Sequence, residues 1–428
     1  MKEKLKRIFL EHPEISDWRI TDYKIRSTEL FYVADRLETT RRTERAETEV
    51  TVYVDKDEKR GEATALCYDY MTYEELKEKI EDAVYSASFA MNRFYEIPEP
   101  SDREIPEMTS NLKGKDFREV MDLLVDAVFR ADCHKNGYLS ATEFFLKEKT
   151  VRIMNSRGID VTQTYYTGNV ELIPSWKTEK DDVETYHWIS FEDFDPEAIT
   201  KETEEKILQA KARHEAVKPE LSGPVKVILQ EEDVSSIFWY YAYELSYQGK
   251  YDGSNRYEIG DCLQGNEVTG DKINLKLTPF YPGAVDSYYV DGNGIIMSEL
   301  ELIRDGVALN RFGSFRTGYY LGVKEPTGYI PVAVVREGTK SISEMKAEPY
   351  LHIVQFSDMQ VDPDSGFFGG EVRLGYYFDG EKEYPVTGIS VSGNIRTLGG
   401  KMRFSSESTT IHNYHGPKYL EVTMEVFG

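Results

Sequence analysis

The chain is short of cysteine, of histidine, of positive charge and of long apolar runs, and each shortage removes a class of protein. Its 428 residues hold three cysteines, Cys67, Cys133 and Cys262. They are odd in number, scattered and without a CxxC pair, which argues against a disulfide scaffold and for reduced thiols. No apolar stretch approaches the roughly 20 residues that span a bilayer. The N-terminal MKEKLKRIFLEHPEIS has no apolar core followed by a cleavage site. The expectation is a soluble cytoplasmic protein with no membrane partner. Acids outnumber bases 76 to 52, a formal charge of −24. Such a chain repels phosphate backbones, so no nucleic-acid partner is expected. Even the most basic stretch, RLETTRRTERAETE at 36–49, interleaves acids with its arginines and reads as a solvated strand or loop.

Several catalytic patterns are missing by one or two residues. RHEAVKPELSG (213–223) begins like a zinc-peptidase helix, where histidines at i and i+4 would share a metal. Here i+4 is Lys218 and i+5 is Pro219, so His214 and Glu215 read as the end of a charged helix. DPDSG (362–366) and DGNG (291–294) open like calcium loops. Counted from Asp362, the required glycine is Phe367 and the required glutamate is Arg373; counted from Asp291, the glycine is Ile296. Both read as turns. GISVSG (388–393) misses a nucleophile elbow, and DGNGIIM breaks the dinucleotide glycine pattern at Met297.

What remains is patterned for a globular fold. Forty percent of residues are hydrophobic and thirteen percent aromatic, 30 of them tyrosine, ample for packed cores. A short helix is expected over 2–11, then strands at 18–35 and 46–70, with a hairpin turn at DKDEKRG. A helix follows from a Thr72 cap with Glu75 three residues on. Its apolar face is Leu76, Ile80, Ala83, Val84, Ala87 and Met91. A second helix, DFREVMDLLVDAVFRADCHKNG, turns Leu123, Leu124, Val128 and Ala131 inward and stops at Gly137. The run 138–176 reads as β with a turn at NSRG, and 196–216 as a charged helix. After 224 come a buried strand, an aromatic helix capped by Asp233, and short alternating runs punctuated by Gly, Asp and Pro. The fold class expected is α+β: an N-terminal α/β domain (1–217) with a helix pair on a sheet, a linker (218–224), and a mainly antiparallel β domain (225–428).

In this order and spacing the pieces resemble the TldD/PmbA family. The resemblance rests on RGEATA and VRIMNSRGIDV in the first half. In the second half it rests on VKVILQEEDVSSIF, VDGNGIIMSELELIRDGVALNRFGSFRTGYYLG, DPDSGFFGGEVRLGYYFDGEKEYPVTGISVSGNI and the terminal GPKYLEVTMEVFG. TldD-type members are zinc peptidases with HExxxH on the helix after the first strand of the C-terminal domain and a cysteine near the C-terminus. Here that helix is SSIFWYYAYELSYQ, without histidine, and the terminal block IHNYHGPKY has His412 and His415 but no cysteine. The resemblance is therefore to the PmbA/TldE-type paralogue. It implies a subunit without catalytic zinc, any zinc lying in a TldD-like partner, and an assembly that processes small or unfolded peptides.

Candidate site residues follow from the same stretch. Trp239, Tyr240, Tyr243 and Glu244 form either a peptide- or subunit-facing surface or a buried helix with tyrosines reaching outward. His412 and His415 join them as loop candidates, since residues three apart on a strand cannot easily share a metal. No residue is assigned to catalysis or metal binding, and no cofactor is expected. An extended peptide would bind by adding a strand to an open sheet edge. Two alternatives stand: a stand-alone hydrolase using His412 or His415 with a carboxylate, and a homodimeric peptide-binding protein.

Overall fold

The computed structural model describes residues 1–179 and 181–428. Helix α1 (Lys2–Glu11) leads into the long strands β1 (Ile15–Val33) and β2 (Arg36–Lys56), then β3 (Lys59–Cys67), α2 (Tyr73–Ala87) and β4 (Met91–Arg93). After α3 (Phe117–Arg130) come β5 (Gly137–Asn155), β6 (Asp160–Lys177), β7 (Asp182–Glu184), β8 (His187–Phe191) and α4 (Pro196–Glu215). The strands form one sheet in the order β4-β3-β2-β1-β5-β6-β7, with β8 also on β6. All its pairings are antiparallel.

Period-two alternation decides what each sheet face meets. Ile20, Val50, Phe144, Leu146 and Met154 share one face through the register. There α1 and α2 cover one half of the sheet, and α3 and α4 the other. The opposite face carries Tyr23, Val151, Ile153 and Tyr165, and the C-terminal half packs on its near end through Val290 and Ile296.

The hairpin at 55–61 turns through Asp57 and Glu58, both in the left-handed region, a twist that suits two-residue hairpins. Thr72 and Glu75 form the expected capping box. Three helix readings need correction. α2 ends at Ala87, and Met91 belongs to β4, paired with Gly61. Only glycine fits at 61, because a Cβ there would lie 1.7 Å from the Ala87 carbonyl oxygen. α3 ends at Arg130, not Gly137, and its Leu123 is 56% exposed, whereas Leu124, Val128 and Ala131 are buried as expected, together with Val120, Met121 and Ala127. The aromatic helix has Glu231, not Asp233, at its N-cap, and it breaks into two at Glu244.

The C-terminal half begins with β9 (Ser222–Gln230), which takes in the last three residues of the expected linker, then α5 (Glu232–Tyr243) and α6 (Tyr247–Asp252). Next are β10 (Leu275–Thr278), β11 (Leu300–Arg304), β12 (Val307–Ala308), α7 (Phe315–Tyr320), β13 (Val332–Val335), α8 (Ile342–Met345), β14 (Tyr350–Val361) and β15 (Phe367–Phe378). The chain closes with β16 (Glu383–Val386), β17 (Ile389–Asn394), α9 (Ile395–Leu398), β18 (Arg403–Phe404), β19 (Ser408–Ile411), β20 (Tyr414–Pro417) and β21 (Tyr419–Phe427). One sheet runs β12-β11-β10-β13-β20-β19. The other runs β14-β9-β21-β17-β15-β16, and β14 also pairs with β15, so five of its strands close into a ring. Apart from the parallel pairs β13–β20 and β9–β14, the ladders are antiparallel. The fold is α+β, as expected. No helix among the described residues is long and apolar enough to cross a membrane.

Candidate functional site: a cleft between the sheet and α5

α5 presents three kinds of surface. Val234, Ile237, Phe238, Tyr241 and Ala242 are buried in the C-terminal core. Phe238 stacks on Tyr414 at 5.9 Å and meets Phe404 edge-on at 5.1 Å. One turn apart on another face, Trp239 and Tyr243 bring their rings to 5.7 Å. Tyr243 is 52% exposed. Along the third edge the Tyr240 hydroxyl donates to Glu244 Oε1 at 2.9 Å.

These surfaces separate the sequence-predicted residues. Glu244 is buried, and its Oε2 accepts from the Arg256 backbone N–H at 3.1 Å. Arg396 donates to the Tyr240 hydroxyl at 2.9 Å and to the Asp364 carbonyl at 2.6 Å. Tyr240, Glu244 and Arg396 thus tie α5 to the turn at 362–366, whose Asp362 side chain accepts from the Asp364 and Ser365 N–H groups. His415 lies elsewhere. Its ring stacks on Tyr281 at 4.0 Å, its Nδ1 pairs with Thr410 Oγ1 at 2.8 Å, and burial pushes its pKa down. His412 sits at the β19–β20 hairpin tip, in the left-handed region at φ 43°. Next to it the Asn413 side chain accepts from Trp239 Nε1 at 3.1 Å.

Trp239, Tyr243 and His412 form one wall of a cleft of about 660 Å³. The other wall is the open face of the N-terminal sheet: Lys147, Lys149, Tyr165 and, from β8, Trp188 and Ser190. A second cavity of about 430 Å³ borders Trp239 and Tyr243 and reaches Tyr240 and Met359. The sheet wall escaped notice in the sequence, although alternation opposite the apolar Phe144 and Leu146 was its signal. β8 pairs only with β6 among the described strands.

The turns that resemble calcium loops are joints. Asp291 is buried and its Oδ1 accepts from the Asn293 and Ile295 N–H groups at 2.8 and 3.0 Å. Arg19 donates to the Asn293 side chain at 2.7 Å, and Gln163 clamps the backbone of Tyr289 and Val290. These bonds hold the C-terminal half against the sheet and fix the cleft's width. His214, the other motif remnant, pairs with Thr178 Oγ1 at 3.1 Å where α4 ends.

The donors on α5 do not fit zinc. A peptidase zinc takes three side-chain ligands around an open position. α5 and the residue after it carry no histidine or cysteine; their carboxylates are Glu232 and Asp233 in the first turn and, about three turns on, Glu244, already committed to Tyr240 and the Arg256 backbone. Among the described residues, one cluster of three ligand-type side chains occurs: Cys133, His134 and Glu204, with ligand atoms within 4.8 Å of one another. It joins the end of α3 to α4, away from α5.

The cleft thus lies between the open face of the antiparallel N-terminal sheet and a helix that follows the first strand of a closed ring. Residues 222–428 match the model of the PmbA/TldA metallopeptidase C-terminal domain, and this half of the chain belongs to that family. TldE from Thermococcus kodakarensis superimposes with a TM-score of 0.81 at 18% identity, over 99% of this chain and 100% of that one. A protein described as a candidate modulator of a DNA gyrase from Thermotoga maritima gives 0.79 at 18%, over 99% of both chains. A protein of the same description from Bacteroides thetaiotaomicron gives 0.82 at 15%, over 100% of this chain and 98% of that one. At these identities the likeness speaks for the fold. No curated protein sequence matches the chain.

Proposed function

We propose that the chain is a PmbA/TldE-like subunit of a TldD-type peptidase assembly, itself without catalytic zinc, which shapes a chamber for extended, unfolded peptides. The observation that carries this reading is α5. The helix the family resemblance assigns to zinc carries no histidine or cysteine and holds Trp239 and Tyr243 towards the cleft, and Glu244 at its end is locked in a buried network. Rigid aromatic rings with polar tips suit a peptide of variable sequence. Strand addition is supported at β8 rather than in the C-terminal ring, which is closed. The stand-alone hydrolase is less well supported: His415 has a carboxylate, Glu337, 3.7 Å from its Nε2, but neither lines the cleft, and His412, which does, makes no ion pair among the described residues.

The test is a peptidase assay on denatured casein with the purified chain alone, with a TldD-like zinc peptidase alone, and with both. Zinc-dependent cleavage that rises when both are present is the expected result. Cleavage by this chain alone, abolished by His412→Ala, would sink the reading.

A further inference from the structure

We propose that Lys147 and Lys149 form an anion subsite in the cleft that receives a carboxylate of a bound peptide, either its C-terminus or an acidic side chain. The proposal rests on the peptide-binding reading above and names the chemistry of one end of that ligand.

The two lysines lie two residues apart on β5, so their side chains leave the same face of the sheet. Opposite them across the ladder stand Thr167 and Tyr165 of β6. All four side chains line the cleft. In a chain with a formal charge of −24, such a pair would ordinarily find carboxylates. Neither lysine is ion-paired among the described residues, because the neighbouring carboxylates are engaged elsewhere. Glu148 points to the other sheet face and pairs with Arg26. Glu47 faces Arg45, and Glu49 accepts from the Tyr23 hydroxyl at 3.3 Å.

Lys149 packs among aromatic rings instead. Its Nζ lies 5.0 Å from the Tyr23 centroid and 5.7 Å from that of Tyr165. Burial, followed by the charge of Arg45, lowers its pKa. A cation held this way gains from an incoming anion.

The charge of the lining selects the anion. The lining holds Lys147, Lys149 and one carboxylate, Asp286, which leaves a formal excess of one positive charge. A singly charged carboxylate matches that excess; a phosphate dianion overfills it. Trp188 and Tyr165 beside the lysines, and Trp239 and Tyr243 opposite, would hold the apolar side chains that precede the carboxylate.

The experiment uses fluorescence anisotropy with the full-length protein. The probes are three labelled pools of ten-residue peptides randomised over uncharged residues: one ending in a free carboxylate, one ending in an amide, and one amidated but with a glutamate next to the end. The free-acid pool is expected to bind about tenfold more tightly than the plain amide pool, the worth of one charge-assisted hydrogen bond. Lys147→Gln/Lys149→Gln, checked for native circular dichroism, is expected to remove that difference between the free-acid and amide pools. If the glutamate pool matches the free acid, the subsite takes a carboxylate from either source; if the glutamate pool alone binds tightly, the group is a side chain; if the glutamate pool matches the amide, the group is the C-terminus. Equal binding of all three pools, unchanged in the double variant, would overturn the subsite and leave the peptide reading standing. No binding of any pool would overturn both.

Discussion

Arg60 and Lys149 are both cations set among aromatic rings on the N-terminal sheet, yet their surroundings differ in one respect. Arg60 is 1% exposed and answers to two carboxylates: it donates to Asp17 at 2.8 Å and to Asp55 through two bonds of 2.7 Å. Phe94, Tyr53 and Tyr95 surround its guanidinium at 4.8 to 5.8 Å. Burial raises the Asp17 pKa, but hydrogen bonds from Arg157, Ser156 and Arg60 outweigh it and hold the carboxyl below its usual range. Tyr95 carries this cluster on to Tyr320 of the C-terminal half, 5.9 Å away. Lys149 has rings but no carboxylate, and it opens on a cleft. A compensated cation in a closed site holds structure together. An uncompensated one beside a cavity leaves room for an outside partner. The comparison makes opposite predictions for stability and for binding at the two places.

The largest effect is expected at Arg60. Arg60→Met removes the charge and leaves Asp17 and Asp55 facing each other with less compensation. Breaking a buried pair from one side costs about 3–5 kcal/mol. Urea unfolding followed by tryptophan fluorescence measures it. A loss below about 1 kcal/mol would mean that Arg157 and Ser156 suffice for Asp17, and the distinction from Lys149 would weaken.

Histidine burial gives the next effect. His352 is buried, its Nε2 lies 2.9 Å from Gln230 Oε1, and its Nδ1 has no partner among the described residues. Burial, with Lys346 and Lys418 nearby, pushes its pKa from 6.5 to about 3. The unfolded chain therefore binds a proton that the folded chain refuses between these values. Stability from this group is complete above pH 6.5 and falls as pH drops towards 3, with a slope of at most about 1.4 kcal/mol per pH unit. His352→Gln should flatten the acid limb of stability against pH. An unchanged limb would assign the sensitivity to other groups, His187 first, whose pKa burial also pushes to about 3.

Much of this frame was legible in the sequence, and the reasons for the rest are physical. The capping box at Thr72, the end of α4 near Pro219 and the turn character of DGNG and DPDSG follow from local chemistry, and local chemistry decided them. Met91 left its expected helix because pairing with Gly61 across a tight approach outweighed helical periodicity. The division of Tyr240 and Glu244 from Trp239 and Tyr243 depends on Arg396, about 150 residues away, and no local pattern contains it. The cleft is a property of two halves meeting, so only half of its wall was visible from the aromatic stretch.

Tyr241 sharpens the comparison on a smaller scale. Its hydroxyl is buried in the core beside Gly399 and has no hydrogen-bond partner among the described residues. Tyr241 lines neither of the two cavities beside α5, so the group is uncompensated without a use. An unsatisfied buried hydroxyl costs about 1–3 kcal/mol. Tyr241→Phe should therefore leave stability unchanged or raise it by about 1 kcal/mol in urea unfolding. A loss would reveal a partner for the hydroxyl, such as an ordered water, and would move Tyr241 to the compensated side.

The smallest stability change is expected at the cleft, and there a small value is the informative one. Lys147 and Lys149 make no ion pair among the described residues, so Lys147→Gln/Lys149→Gln removes no partner and leaves no carboxylate stranded. Substitutions away from buried networks usually stay within about 0.5 kcal/mol. Lys149 loses its contacts with Tyr23 and Tyr165, worth about 0.5–1 kcal/mol at a partly exposed site. Relief of its desolvation and of repulsion from Arg45 offsets part of that loss. The double variant should unfold within about 0.5 kcal/mol of the parent chain, against the several expected for Arg60→Met. A loss as large as that of Arg60→Met would show that the lysines hold the sheet together, and the cleft would then lose its claim to a ligand.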